Sequence, residues 1–309
     1  MKKNTTFTLS LLIAIALFLF AFPSKGETQF SVNCDEGGSL QTTINNAFDW
    51  ATILVYGTCK QMASFYTGRR GLTLDGLGQA TIIAPDATAP TVLVRGDSIT
   101  IRGFTISGGY DGVAVLKSGY AIIEGNTIES AGRAGINLEN SATARIVNNK
   151  IRNNPGDGIK ISENSSARIG IKLPLDTVEQ PNTIEHNGGN GITVLRSSSA
   201  IIVGNTISEN GGDGIKVAGV SQADISDNTI DGNDGNGILV TQNSGVNLGN
   251  DTGDTIYDLP NTTALKNGLF GLKGTMGGYA DGRLGTLDGL MGRVFFDLRS
   301  INSTRPWLW

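Results

Sequence analysis

The chain has 309 residues, a formal charge of −4, and 43 glycines against 8 prolines. A mildly acidic chain lacks the clustered Lys and Arg that nucleic acid or anionic lipid requires. This much glycine without a Gly-X-Y period excludes collagen, and so few prolines exclude a proline-rich linker.

Residues 1–26 read as a secretory signal. Lys2 and Lys3 precede a mostly apolar run, Leu9–Phe22, then Pro23, with Ser24 and Gly26 at −3 and −1 of a cut before Glu27. The run is shorter than the ~20 residues of a spanning helix. No membrane span is therefore expected after its removal, which takes away Lys2, Lys3 and Lys25 and moves the charge from −4 to −7. The mature chain is expected to be secreted or periplasmic. Its two cysteines, Cys34 and Cys59, are an even count in an oxidising compartment, and neither lies in a CxxC. That predicts one disulfide.

Residues 27–71 are expected to hold an N-terminal cap and the first turns. Ser39–Ala47 has a helical pattern with a Ser N-cap, and Thr52–Tyr56 reads as a first strand. A short helix with the disulfide would cover the open first coil, whose edge would otherwise pair with other chains.

A repeat occupies residues 72–273. The motif A-x-I-x-x-N-x-I-x-x-N-x-G-x-G-I recurs at Ala144–Ile159, Ala200–Ile215 and Ala223–Ile238, with a looser copy at Ala121–Ile136. Its second glycine falls at Gly112, Gly135, Gly158, Gly191, Gly214 and Gly237, in steps of 23, 23, 33, 23 and 23. Asn126, Asn149, Asn182, Asn205 and Asn228 keep the same steps. Insertions at Ile171–Pro181 and Asn250–Pro260 explain the two long coils. Apolar residues at i and i+2 mark half-buried strands, and three short strands per period make a coil that buries its Ile face only by stacking on neighbours. The fold class predicted is all-β: a right-handed, single-stranded parallel β-helix of about 23 residues per coil, with a helix and disulfide cap. Asn at a fixed bend can form an amide ladder, and glycine is expected there for positive φ. After Lys273 the period fades, so residues 274–309 are expected to be a C-terminal cap or tail.

These coils resemble the right-handed β-helix repeat superfamily, also called pectin-lyase-like, over roughly Gly38 to Lys273. The resemblance also covers the opening, with Ser39–Ala47, Thr52–Gly57 and Gly71–Gly76. It implies an extracytoplasmic protein that often meets polysaccharide, in a superfamily holding pectate lyases, polygalacturonases, alginate lyases and epimerases, tailspikes and adhesive proteins. It does not choose among those activities.

The superfamily's hydrolase motifs have only look-alikes here: Asn-Thr-Ile, single Asp-Gly bends and Gly-Ile-Lys, with no Gly-His-Gly; the alginate epimerase motif Asp-Pro-His-Asp is also missing. The only histidine, His186, reads as a surface residue in a bend. Lyase chemistry needs a base and a neutraliser for the uronate. The catalytic candidates are Asp157 with Lys160 and Asp213 with Lys216, each in a GDGIK segment. Lys160 and Lys216 should point outward two coils apart, with Thr193 between them. The same column of bends alternates acids with neutral residues, which alone explains the aspartates as spacing of like charges. Glu129, Arg152 and Glu185 should form a charge-matched column. No cofactor is expected; calcium is the one ion considered, with Asp251, Asp254 and Asp258 as candidate ligands and Asp231, Asn233 and Asp234 as a second set. From Ala121 to Ile256 there is no Phe, Tyr or Trp to stack on a sugar. The expected role is a non-catalytic extracytoplasmic binding or structural module with a polysaccharide or cell-surface glycan as partner. The alternative is a uronate lyase, hydrolase or epimerase.

Overall fold

The computed structural model describes residues 28–171, 180–249 and 259–305. The signal segment, most of both insertions, and Trp307 and Trp309 lie outside them. The described chain winds as a parallel β-solenoid. Each coil supplies three strands, as in Ile136–Glu139, Thr143–Val147 and Lys150–Arg152. The first of each trio joins a ten-stranded sheet; the other two join an eighteen-stranded sheet that folds over two sides.

Every paired strand meets its counterpart one coil away, in parallel. On the ten-stranded sheet Ile136, Ile159, Ile192, Ile215, Ile238 and Leu272 are successive partners, all fully buried. On the next side Ile123, Ile146, Ile169, Ile202, Ile225 and Leu248 do the same. Like-on-like stacking fills the core with β-branched side chains and leaves the i+1 positions facing water.

The corners are held by side-chain ladders. Asn126, Asn149, Asn182, Asn205 and Asn228 each donate Nδ2–H to the next Oδ1, ending at Asn261, at 2.8–3.1 Å. A second ladder joins Asn154, Asn187, Asn210, Asn233 and Asn267 at 2.9–3.0 Å. At the third corner the hydroxyls of Ser165, Ser198, Ser221 and Ser244 accept backbone N–H groups from the coil before. Buried corners would otherwise strand polar groups, at a cost of about 1–3 kcal/mol each. The ladders cross both insertions: the Asn149–Asn182 and Asn228–Asn261 links span 33 residues with the geometry of the 23-residue steps.

The glycine column is real but its reason differs from the expectation. Gly135, Gly158 and Gly214 do not have positive φ. A Cβ on Gly158 would meet Ile184 Cγ2 at 2.5 Å and the Gly191 carbonyl at 2.7 Å. The column is glycine because the next coil presses on it, a requirement of closeness and not of handedness.

At the N-terminal end the helix Leu40–Asn46 lies with Leu40 and Ile44 fully buried, and the Ser39 hydroxyl accepts Thr42 N–H at 3.3 Å. Cys34 and Cys59 are disulfide-bonded beside it. Parallel pairing is already present in residues 27–71, where the first turns are expected, and goes on past Lys273. Gln29–Asn33 already pairs with Thr52–Tyr56. Beyond Lys273, Tyr279–Arg283 pairs with Ile301–Arg305, and Phe270–Gly274 with Gly292–Phe296. Here the backbone keeps the register while the inward residues change: Phe296 fills the space over Gly274, in a column that Val194, Val217 and Val240 occupy in the coils before. Among the described residues no helix is long and apolar enough to cross a membrane.

Candidate functional site

The residues singled out from sequence lie on and beside the ten-stranded sheet. Lys160, Thr193 and Lys216 are successive register partners, as expected. They do not form a free row of charge. Lys160 Nζ is 2.9 Å from Glu139 Oε1, with both side chains about a quarter exposed (24% and 23%). Burial raises the Glu139 pKa, but the hydrogen bond and charge of Lys160 outweigh it, and the carboxyl is held below its ordinary value.

The two aspartates are corner braces. Asp157 Oδ1 accepts the Asn190 backbone N–H at 2.7 Å and its side chain at 3.1 Å. Asn190 Oδ1 accepts Asp213 N–H at 2.8 Å, and Asp213 Oδ1 accepts Asn236 N–H at 2.8 Å and Nδ2–H at 2.7 Å. The alternation of acid and amide is a donor–acceptor chain: the aspartate can only accept, so the next rung must donate. Only Lys216 of the four candidates lacks such a partner among the described residues.

The other expectations resolve similarly. Arg152 is 2.9 Å from Glu129, whereas Glu185 pairs with Lys150 at 3.0 Å. His186 sits in a turn at φ 57, half-exposed, 3.3 Å from Glu209. In the second calcium set, Asn233 belongs to the ladder and Asp231 Oδ1 accepts the N–H groups of Ala264 and Leu265. Asp251, Asp254 and Asp258 lie outside the described residues.

A groove of about 610 Å³ lies on the adjoining side of the solenoid. Its floor is two columns of outward positions. One runs Tyr120, Thr143, Ser166, Ser199, Gln222; the other runs Ile122, Arg145, Arg168, Ile201, Asp224. Arg145 and Arg168 are direct neighbours, so their backbones are ~4.8 Å apart. Among the described residues neither has a carboxylate partner. Arg145 lies over the Tyr120 ring, Cζ 5.6 Å from its centroid. Arg168 Nη1 is buried and has no hydrogen-bond acceptor.

Two titratable groups flank the pair. Asp224 is pushed up by burial, partly offset by the Asn247 amide that donates to it at 2.8 Å. Tyr120 is also pushed up by burial, with Arg145 opposing and Asp97 adding. The groove thus pairs two fixed guanidiniums with hydroxyls and an amide. Guanidinium is weakly hydrated and forks onto carboxylates, which suits it to hold acidic groups.

Sequence reasoning passed over this site because Arg145 and Arg168 occupy the variable slot of Ala-x-Ile. Aligning the copies and reading down that slot puts two arginines on consecutive coils, and that was the available signal.

A family model described as "Right handed beta helix region" matches residues 32–173 and 175–255. No curated protein matches the chain. Among solved structures it is similar to pectate lyase Pel9A, at 11% identity and a TM-score of 0.61 over 89% of this chain and 78% of that one. It is similar to an alginate lyase from Paenibacillus sp. str. FPU-7, at 15% identity and a TM-score of 0.59 over 88% and 99%. The periplasmic alginate epimerase AlgG aligns at 16% identity and a TM-score of 0.53 over 89% and 82%. At these identities the likeness is one of fold.

Proposed function

Since this chain belongs to the right-handed β-helix family, we propose that it is an extracytoplasmic module that binds an acidic, uronate-type polysaccharide along the Arg145–Arg168 groove without altering it. One observation carries this: two guanidiniums stand on adjacent rungs of a groove, and among the described residues no carboxylate is ion-paired to either. Like charges directly opposite each other on paired strands are destabilising, and a regular polyanion would remove that repulsion. The similar structures are named for action on pectate and alginate, both uronate polymers, which supports the ligand class. The Cys34–Cys59 disulfide supports the compartment.

The non-catalytic part of the reading rests on the proton-transfer groups. Asp157, Lys160 and Asp213 are engaged in structural bonds. The groove's one acid, Asp224, is two rungs from Arg168 and hydrogen-bonded to Asn247. A second reading, a uronate lyase or epimerase, is favoured by the raised pKa values of Asp224 and Tyr120, which suit groups that exchange protons.

Calorimetric titration with oligogalacturonate and oligomannuronate tests the first reading. Binding to at least one is expected, and Arg145→Ala with Arg168→Ala should weaken it about 100-fold. Failure of both polymers to bind would sink the proposal. A steady rise in the ultraviolet absorbance of unsaturated ends, or exchange of the C5 proton with solvent, would replace it with the enzymatic reading.

A further inference from the structure

The groove does not end at Tyr120. Register carries its first column toward the N-terminal end: Tyr120 follows Ser98, next to the Ile99–Ala121 pair, and Ser98 follows Gly71, two residues before the Thr73–Thr100 pair. Gly71 in turn follows Trp50, two residues before the Thr52–Thr73 pair. The second column continues as Thr52, Thr73, Thr100 and Ile122. Thr52, Thr73, Ser98 and Thr100 therefore line the face next to Trp50, and Tyr120 and Ile122 form the last rung before Arg145.

Three features mark Trp50. Its φ is 68, the left-handed corner conformation that its register partners Gly71 (φ 64) and Ser98 (φ 57) share. Its indole is 58% exposed. It also lies flat against Gly71, where even a methyl group would collide with the benzo ring of the indole. The conformation is fixed by the Trp50 N–H, which donates to the Arg70 carbonyl at 3.0 Å, and by Asp49, which accepts Arg70 N–H at 3.1 Å. The corner conformation thus holds an exposed, rigid ring over Gly71 in line with the groove columns, where a ligand can reach its outer face. The ring covers Gly71, two rungs from Tyr120, and so lies roughly 10 Å from it along the axis. The arginine rungs follow directly beyond.

We propose that Trp50 is an aromatic platform that extends this groove, so that the site takes an elongated acidic oligosaccharide lying along the solenoid axis. One sugar ring stacks its apolar face on the indole while the carboxylates two or more residues away meet Arg145 and Arg168. Aromatic faces suit this role because they present a large rigid apolar surface and lose little freedom on binding. The span from the Trp50 ring to Gln222 is six rungs, roughly 29 Å, which calls for a ligand of several sugars. The inference rests on the proposed reading of the groove and adds the ligand's direction and length.

The test compares a galacturonate disaccharide with an octasaccharide by calorimetry, on the full chain and on Trp50→Gly, Trp50→Ala and Trp50→Phe. The glycine variant removes the ring and the backbone strain together, so it should fold at least as well as the parent; thermal melting checks this. Loss of the ring is expected to weaken octasaccharide binding about three- to tenfold and leave disaccharide binding unchanged, with Trp50→Phe keeping most of the affinity. Equal octasaccharide affinity in Trp50→Gly and the parent would overturn the platform while leaving the arginine groove standing. Absence of binding by the parent to these sugars and to an oligomannuronate octasaccharide would overturn both.

Discussion

Two neighbouring sides of the solenoid carry similar numbers of cations and treat them differently. On the ten-stranded sheet Lys160 has Glu139, and the nearby aspartates are tied into the corner chain. On the adjoining side Arg145 and Arg168 stand on consecutive rungs, with no carboxylate ion-paired to either among the described residues. The scaffold is the same on both sides, with the same rung spacing and the same buried Ile partners. What differs is that Lys160 meets a carboxylate and the adjacent Arg145 and Arg168 do not, among the described residues. An outward column on a solenoid is free to vary, so an unbalanced one marks a surface shaped by something outside the fold.

The contrast can be broken most severely at the corner that both sides depend on. Asn205 is fully engaged, donating to Ile169 O, Val203 O and Asn228 Oδ1 while accepting from Asn182. Asn205→Ala should destabilise by about 3–4 kcal/mol, because several buried groups lose their partners at once; chemical denaturation measures it. Next in size, Arg145→Ala with Arg168→Ala should lower affinity for oligogalacturonate by about 100-fold, two charge-assisted contacts being lost. The same pair should leave stability unchanged or slightly raised. Lys160→Ala with Lys216→Ala should change that affinity less than about threefold.

The matched side has the opposite signature. Lys160→Ala should cost about 1 kcal/mol of stability at neutral pH by leaving Glu139 half-buried and unpaired. The folded pKa of Glu139 lies below its ordinary 4.5, so this contribution is present above that value and lost as pH falls through the folded one. Melting curves across that range should therefore converge for parent and variant in acid. The smallest effect is expected from Asp224→Asn. The folded pKa of Asp224 is raised above 3.8, so its contribution is greatest below that value and lost as pH rises through the folded one. The amide should flatten this slope and, by removing a negative charge from the groove, strengthen uronate binding modestly.

Most of the fold was legible because its determinants are periodic. Ile columns, the first Asn ladder, the Ser39 cap and the cysteine pair all declare themselves by spacing or residue type. The second ladder, through Asn154 and Asn187, was present in the motif but not read as a column. Other features were hidden for particular reasons. Sequence cannot separate a glycine needed for positive φ from one pressed by a neighbour, and Gly158 is the second kind. The last coils escaped because Gly282 and Gly274 stand where Leu248 and Val240 stand one coil earlier, while the backbone pairing goes on. Glu139 reaches Lys160 diagonally, across 21 residues and not 23, so reading straight down a column misses it. The groove was hidden in a slot whose occupants vary from Ile to Arg to Asp. Trp50 carries no sequence signal at all, since its significance is conformational.

The corner between the Asn149 and Asn182 rungs has a wider implication. Ten additional residues enter the chain there, and again between Asn228 and Asn261, without altering the amide contact on either side. Length at this point is decoupled from the frame, which makes it a natural graft point. A foreign loop, an epitope or a fluorophore-bearing peptide could be carried there at defined height along the axis, and the solenoid would serve as a ruler for displaying it.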